Sequence, residues 1–344
     1  MRWSWLGTML VLAGALVLAF GVAYSFLQLI RPLAILLASI IIAVALAPFV
    51  DRLERWLPRG LAAATVYLGI ALVFAALALV VYWRTSSDIS TFIDEFPRSQ
   101  AEVDDLVART TPFEDVGAVD FLRSQSDRYA GTVVRLPVLV ASVALDIVLA
   151  IFLSLYWVIS APGLKRFVLS LFPPNGPRER ASEVLSAMGS SMGGYVRASV
   201  LDGIIVGVLT FIGLMLLGVR FAIVLALFAA VMELIPVIGP IVSAVPAVII
   251  AYLDSPTKAL IVLGFYVVLQ QFESNVLMPN VMKNQTDVPQ VLSLFAVFAG
   301  GTLAGILGAL IAVPLAGALV VLTEMVIAPS IRARWGSDQP EAVP

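Results

Sequence analysis

The stretch MELIPVIGPIVSAVPAV, residues 232–248, decides how this chain folds. It sits in an apolar run from Phe221 to Tyr252, long enough to cross a bilayer, yet carries Glu233, Pro236, Gly239, Pro240 and Pro246. Pro236 cannot supply the backbone donor of a continuing helix, and its ring clashes with the preceding turn. Gly239-Pro240 favours a turn and a fresh start, since proline suits a first helical turn. The expectation is two half-helices, Phe221–Ile235 and Pro240–Tyr252, each about 20 Å long at 1.5 Å per residue. Such a break lies deep in a membrane, where unpaired backbone groups are tolerated only inside protein or beside water.

Composition supports that setting. Of 344 residues, 60% are hydrophobic and only 13% charged, and the mean hydropathy is +1.01, beyond the range of soluble domains. The formal net charge of −2 offers no basic field for nucleic acid. Histidine and cysteine are both absent. That removes disulfides, thiolate nucleophiles, the usual zinc ligands and any Ser-His site. No catalytic residue, cofactor or metal is expected, and proton chemistry falls to carboxylates. The chain lacks GxGD and DGxxAR motifs, so an intramembrane enzyme is not expected.

Outward from the opening stretch, apolar segments occupy 5–30, 33–49, 61–83, 137–159, 198–217, 220–252, 258–277 and 288–327. A spanning helix needs about 20 such residues. This gives an all-α integral membrane protein of about eight segments, with 220–252 and 288–327 broken or re-entrant. The first run exceeds the roughly 7–15 residues of a signal h-region and reads as a retained helix. Arg31-Pro32 is expected to turn a tight hairpin between the first two segments. Arg52, Arg55 and Arg59, then Lys165, Arg166, Arg178 and Arg180, place their loops in the cytoplasm. With eight simple crossings the N-terminus, Arg332 and Arg334 face the same side. Four regions result: 1–83, an external acidic region 84–136 with amphipathic helical spacing, a core 137–327 with a cytoplasmic connection 161–197, and a tail 328–344.

Within 181–199, Ser186, Gly189, Ser190 and Gly193 form a small-residue face suited to close helix contact. The last segment repeats the interruption with Gly300, Gly301, Gly305, Gly308 and Pro314. Paired interrupted segments are the best sequence pointer to a transporter's binding region. The membrane segments hold few ionisable groups, and a carboxylate there suggests function. Asp146, Glu233, Gln270, Glu273 and Asn275 are therefore candidates for a substrate or ion pathway, with Pro236, Gly239 and Pro240 shaping it. Asp202, close in sequence to Arg197, reads instead as half of a structural ion pair.

At ELIPVIGP (233–240), the preceding LLGVRFAIVLALFAAVM (216–232) and the run 269–317, the sequence resembles the autoinducer-2 exporter family. LPRGLAA (57–63) and FLSLYWVISAPGLKRFVLSLFPP (152–174) carry it further. The resemblance implies a polytopic exporter or permease of the bacterial inner membrane, a homo-oligomer. It implies export of autoinducer-2, the quorum-sensing polyol; some relatives are linked to sodium or lithium exchange for protons. The His-Pro pair frequent after segment seven in the family is Val288-Pro289 here. A non-transporting envelope scaffold is the remaining alternative.

Overall fold

The computed structural model describes residues 3–95, 145–174, 176–236, 238–282 and 288–335. These form eight helices: α1 Trp3–Leu53, α2 Arg59–Glu95, α3 Leu145–Ser170, α4 Pro177–Leu216, α5 Ala222–Met232, α6 Ile238–Asp254, α7 from Pro256 and α8 from Gln290. α7 runs through a wide π turn at Glu273–Leu277 to Met282. α8 has a similar turn at Thr323–Ile327 before ending at Trp335. Six helices are long and apolar enough to cross a membrane, while α5 and α6 are shorter apolar helices. The chain is an all-α, multi-pass membrane protein. Most of the region 84–136, expected to be external, falls outside the described residues; its beginning, 84–95, extends α2.

The hairpin expected at Arg31-Pro32 is absent. α1 is a single helix of 51 residues passing through both Pro32 and Pro48. Arg31, which looked like a loop marker, donates from Nε and Nη2 to both carboxylate oxygens of Asp146 on α3, at 2.9–3.2 Å. A membrane helix absorbs a proline when neighbours restore the lost contacts. The connection 161–197, expected to be a loop region, is likewise mostly helical, because α3 reaches Ser170 and α4 starts at Pro177. Among the described residues, only 171–174 and 176 interrupt it.

α4 is the spine. Its 40 residues extend about 60 Å at 1.5 Å per residue, and α1, α5 and α8 all pack on it. Gly189 and Gly193 meet α1 at Val44, where a Cβ on Gly193 would come 2.8 Å from the Val44 carbonyl oxygen. Gly203 and Gly207 admit Ala226 and Ala230 of α5, so the small residues set helix separation.

α5 and α6 do not continue one another across the membrane; they form a re-entrant hairpin. Leu225 near the start of α5 packs with Ala247 and Ala251 near the end of α6. Arg220 Nη2 reaches Asp254 Oδ1 at 3.0 Å across the base, and Lys258 adds a 2.6 Å ion pair to the same carboxylate. At the tip, a Cβ on Gly239 would collide with the Met232 carbonyl. The broken backbone is paired locally, with Ile235 N–H donating to Met232 O at 2.9 Å and Gly239 N–H to Ile235 O at 2.9 Å.

α8 folds back in the same manner. Ala304 (φ −132, ψ 19) and Gly305 (φ 63, ψ −145) leave helical geometry. The arms 290–303 and 306–322 then lie antiparallel, with the Gly300 and Gly308 backbones in direct contact and Val297 beside Val313. Arg180, at the start of α4, donates to Met325 O at 3.2 Å. The base of this hairpin thus lies at the opposite end of α4 from the Gly218–Asp254 base. The 254–257 corner and the end of α7 at Met282 both exchange sides relative to eight simple crossings. The two exchanges cancel at Arg332 and Arg334, which keep their side.

Candidate functional site

The two hairpins meet midway along α4. Ile235, at the first tip, packs with Val297, Ala309 and Val313 of the second hairpin and with Tyr195 of α4. Beside this junction three carboxylates come together: Asp202 from α4, Glu233 from the first tip and Glu273 from the π turn of α7. A carboxylate oxygen from each lies within 4.8 Å of the others. The residues are 1%, 6% and 6% exposed.

Each position has a local cause. Glu233 directly follows α5, which ends where Pro236 prevents another turn. Glu273 opens a π turn, a widening that commonly occurs at functional positions. Asp202 precedes Gly203, where α4 and the first hairpin approach closely: a Cβ added to Gly203 would lie 2.5 Å from the Ala230 carbonyl oxygen and 3.6 Å from the Glu233 Cβ. The ion pairs among the described residues lie elsewhere and include none of the three. Asp202 Oδ1 is buried without a hydrogen-bond partner, as are the Thr210 and Tyr266 hydroxyls. Buried polar atoms without protein partners mark places for water or ions. Thr210 lies two turns beyond Asp202 on the same face of α4, so unsatisfied groups extend along the spine.

The ion pair expected between Asp202 and Arg197 is not formed; Arg197 Nη1 donates to Ala45 O at 3.2 Å. Helical geometry explains the miss. Five residues correspond to about 140° around an α-helix, which sends the two side chains to different faces. Ser199, Asp202, Val206 and Thr210 are spaced to share one side of α4, and all four are buried, so Asp202 faces inward with them.

The remaining candidates divide. Asp146 pairs with Arg31, outside the carboxylate cluster. Gln270 lines a cavity of about 440 Å³ between α6 and α7, together with Pro240 and Tyr266. Asn275 is exposed and donates to Gln271 O at 2.8 Å within its own helix. Pro236 and Gly239 lie at the first tip and Pro240 in the first turn of α6. Gly300, Gly305 and Gly308 form the second hairpin's close contact and tip. A Cβ on Gly301 would lie 3.9 Å from Ala309, and Pro314 is buried in the returning arm.

Long apolar helices, two opposed re-entrant hairpins and buried carboxylates where the hairpins meet define a polytopic membrane transport protein. A sequence model of the AI-2E family of transporters matches residues 9–328, and the chain belongs to that family. It is 28% identical to the "Putative transport protein YrrI" of Bacillus subtilis over 83% of this chain and 84% of that protein. It is 28% identical to the "Putative transport protein MT0215" of Mycobacterium tuberculosis, covering 91% and 86% respectively. The "Putative permease PerM" of Escherichia coli is 25% identical, with 88% of each chain covered.

Proposed function

We propose that this protein is a secondary transporter exporting a small polar solute, autoinducer-2-like in chemistry, across the bacterial inner membrane. The observation that carries the reading is the meeting of two opposed hairpins beside Asp202, Glu233 and Glu273. Hairpins entering from opposite ends of one helix supply a barrier toward each side. Displacing one while the other stays closed gives alternating access without opening a continuous pore. The buried carboxylates couple that motion to protons, since charged groups deep in a membrane are costly unless paired or neutralised.

The carboxylate cluster also favours a second reading, exchange of sodium or lithium for protons at the same three groups. In either case the Arg52–Arg59, Lys165–Arg180 and Arg332–Arg334 end faces the cytoplasm by the positive-inside rule. Homo-oligomerisation is compatible with the wholly exposed membrane window of α2.

The test is proteoliposome flux with a trapped pH dye, adding autoinducer-2, sodium or lithium separately. The proposed exporter gives a pH change with autoinducer-2 that Glu273→Gln lowers at least tenfold while assembly is unaffected. A response to sodium or lithium alone selects the exchanger. Wild-type flux in Glu273→Gln removes that carboxylate from coupling.

A further inference from the structure

A transporter relying only on protons has no need for three carboxylates on three elements to converge. One buried carboxyl group suffices to carry a proton, whereas three drawn from α4, the first hairpin tip and α7 form a coordination shell. Their chemistry restricts the ion. All three donors are hard oxygen ligands, with neither imidazole nor thiolate in the chain, a set that suits magnesium, calcium or manganese rather than zinc or copper. The geometry fits as well. Three oxygens spread evenly around one ion at calcium-like distances of about 2.3–2.6 Å stand roughly 4.0–4.5 Å apart, a spacing that falls within the 4.8 Å limit inside which these three lie of one another.

Two observations beyond the clustering point to an occupant. Asp202 is 1% exposed, yet its Oδ1 has no hydrogen-bond partner, an expensive arrangement unless another group fills the gap. α5 also ends at Met232, immediately before Glu233, so the partially negative end of that helix adjoins the cluster and favours a cation.

We propose that Asp202, Glu233 and Glu273 bind one hard divalent cation, which ties the tip of the first hairpin to α4 and α7. Bound, the ion holds the hairpin in the closed position. Without it, the mutual repulsion of the carboxylates favours separation of the three elements, unless protons neutralise them. The proposal concerns regulation of the proposed transport site. It depends on that reading for its effect on flux, but not for binding itself.

The test uses the purified full-length protein, stripped with EDTA and titrated with Mn²⁺, free ion being followed by electron paramagnetic resonance. The expected result is one Mn²⁺ per chain, displaced by Ca²⁺ or Mg²⁺, with a rise in Tm. Asp202→Asn, Glu233→Gln and Glu273→Gln should each weaken binding at least tenfold. Asp254→Asn, at the hairpin base, should leave it unchanged. Size-exclusion profiles identify any variant that fails to fold, and the other two then carry the comparison. Absence of saturable Mn²⁺ binding to the wild type, equal binding in the folded variants, or stabilisation by Na⁺ but not Mn²⁺ overturns the site. Solute flux measured in parallel separates the two ideas: metal binding without flux of any solute sinks the transport reading alone, and flux without metal binding sinks this one alone.

Discussion

At Gly305 the backbone has φ 63 and ψ −145, a combination essentially reserved for glycine because a Cβ would crowd the neighbouring peptide groups. Four residues away, Gly301 has ordinary helical surroundings. A Cβ there would reach only the Ala309 methyl, at 3.9 Å. The two glycines look alike in sequence and differ in what their backbones must do. Gly305→Ala should cost about 1–3 kcal/mol and lower the Tm in detergent, whereas Gly301→Ala should leave it within experimental scatter. An equal response from both variants would show that the second hairpin does not depend on the turn at Gly305.

At the level of elements, the two hairpins reverse the sides of the connections after α6 and α7. The natural absence of cysteine makes this directly measurable. Thr257→Cys should react with an impermeant thiol reagent from the side opposite Trp335→Cys, and Asn280→Cys from the same side as Trp335→Cys. Eight simple crossings require the reverse for both loop positions. The sequence made the interruptions legible, because Pro236, Gly239-Pro240 and the glycines of α8 are local chemistry. It did not make the reversals legible. A broken helix that continues and one that turns back contain the same breakers, and the choice rests on distant contacts such as Arg220 with Asp254. The continuity of α1 was hidden for a related reason, since Arg31 resembles a loop charge until Asp146 is seen beside it. Glu233 and Glu273 were readable as isolated membrane carboxylates. Their meeting with Asp202 required the tertiary fold.

Considered as a whole, the molecule is organised around the contact between hairpins. Ile235 and Val297 belong to the same buried cluster, so cysteines at these positions should form a disulfide on mild oxidation. If the hairpins move relative to one another during transport, oxidised Ile235→Cys/Val297→Cys protein should lose flux and recover it with reductant. Unchanged flux in the cross-linked protein would show that this contact persists throughout the cycle. The shortness of α5 has a consequence for biosynthesis. At 11 residues it cannot bridge a hydrocarbon layer of about 30 Å, and the bent tip cannot face lipid without protein around it. The translocon therefore cannot release the first hairpin into its final place as it emerges from the ribosome. α4 is already available to receive it, but α7, which supplies Glu273 and packs on α6, has yet to be made. The hairpin therefore completes its packing only after α7 has been made, so the site is assembled after most of the chain that surrounds it.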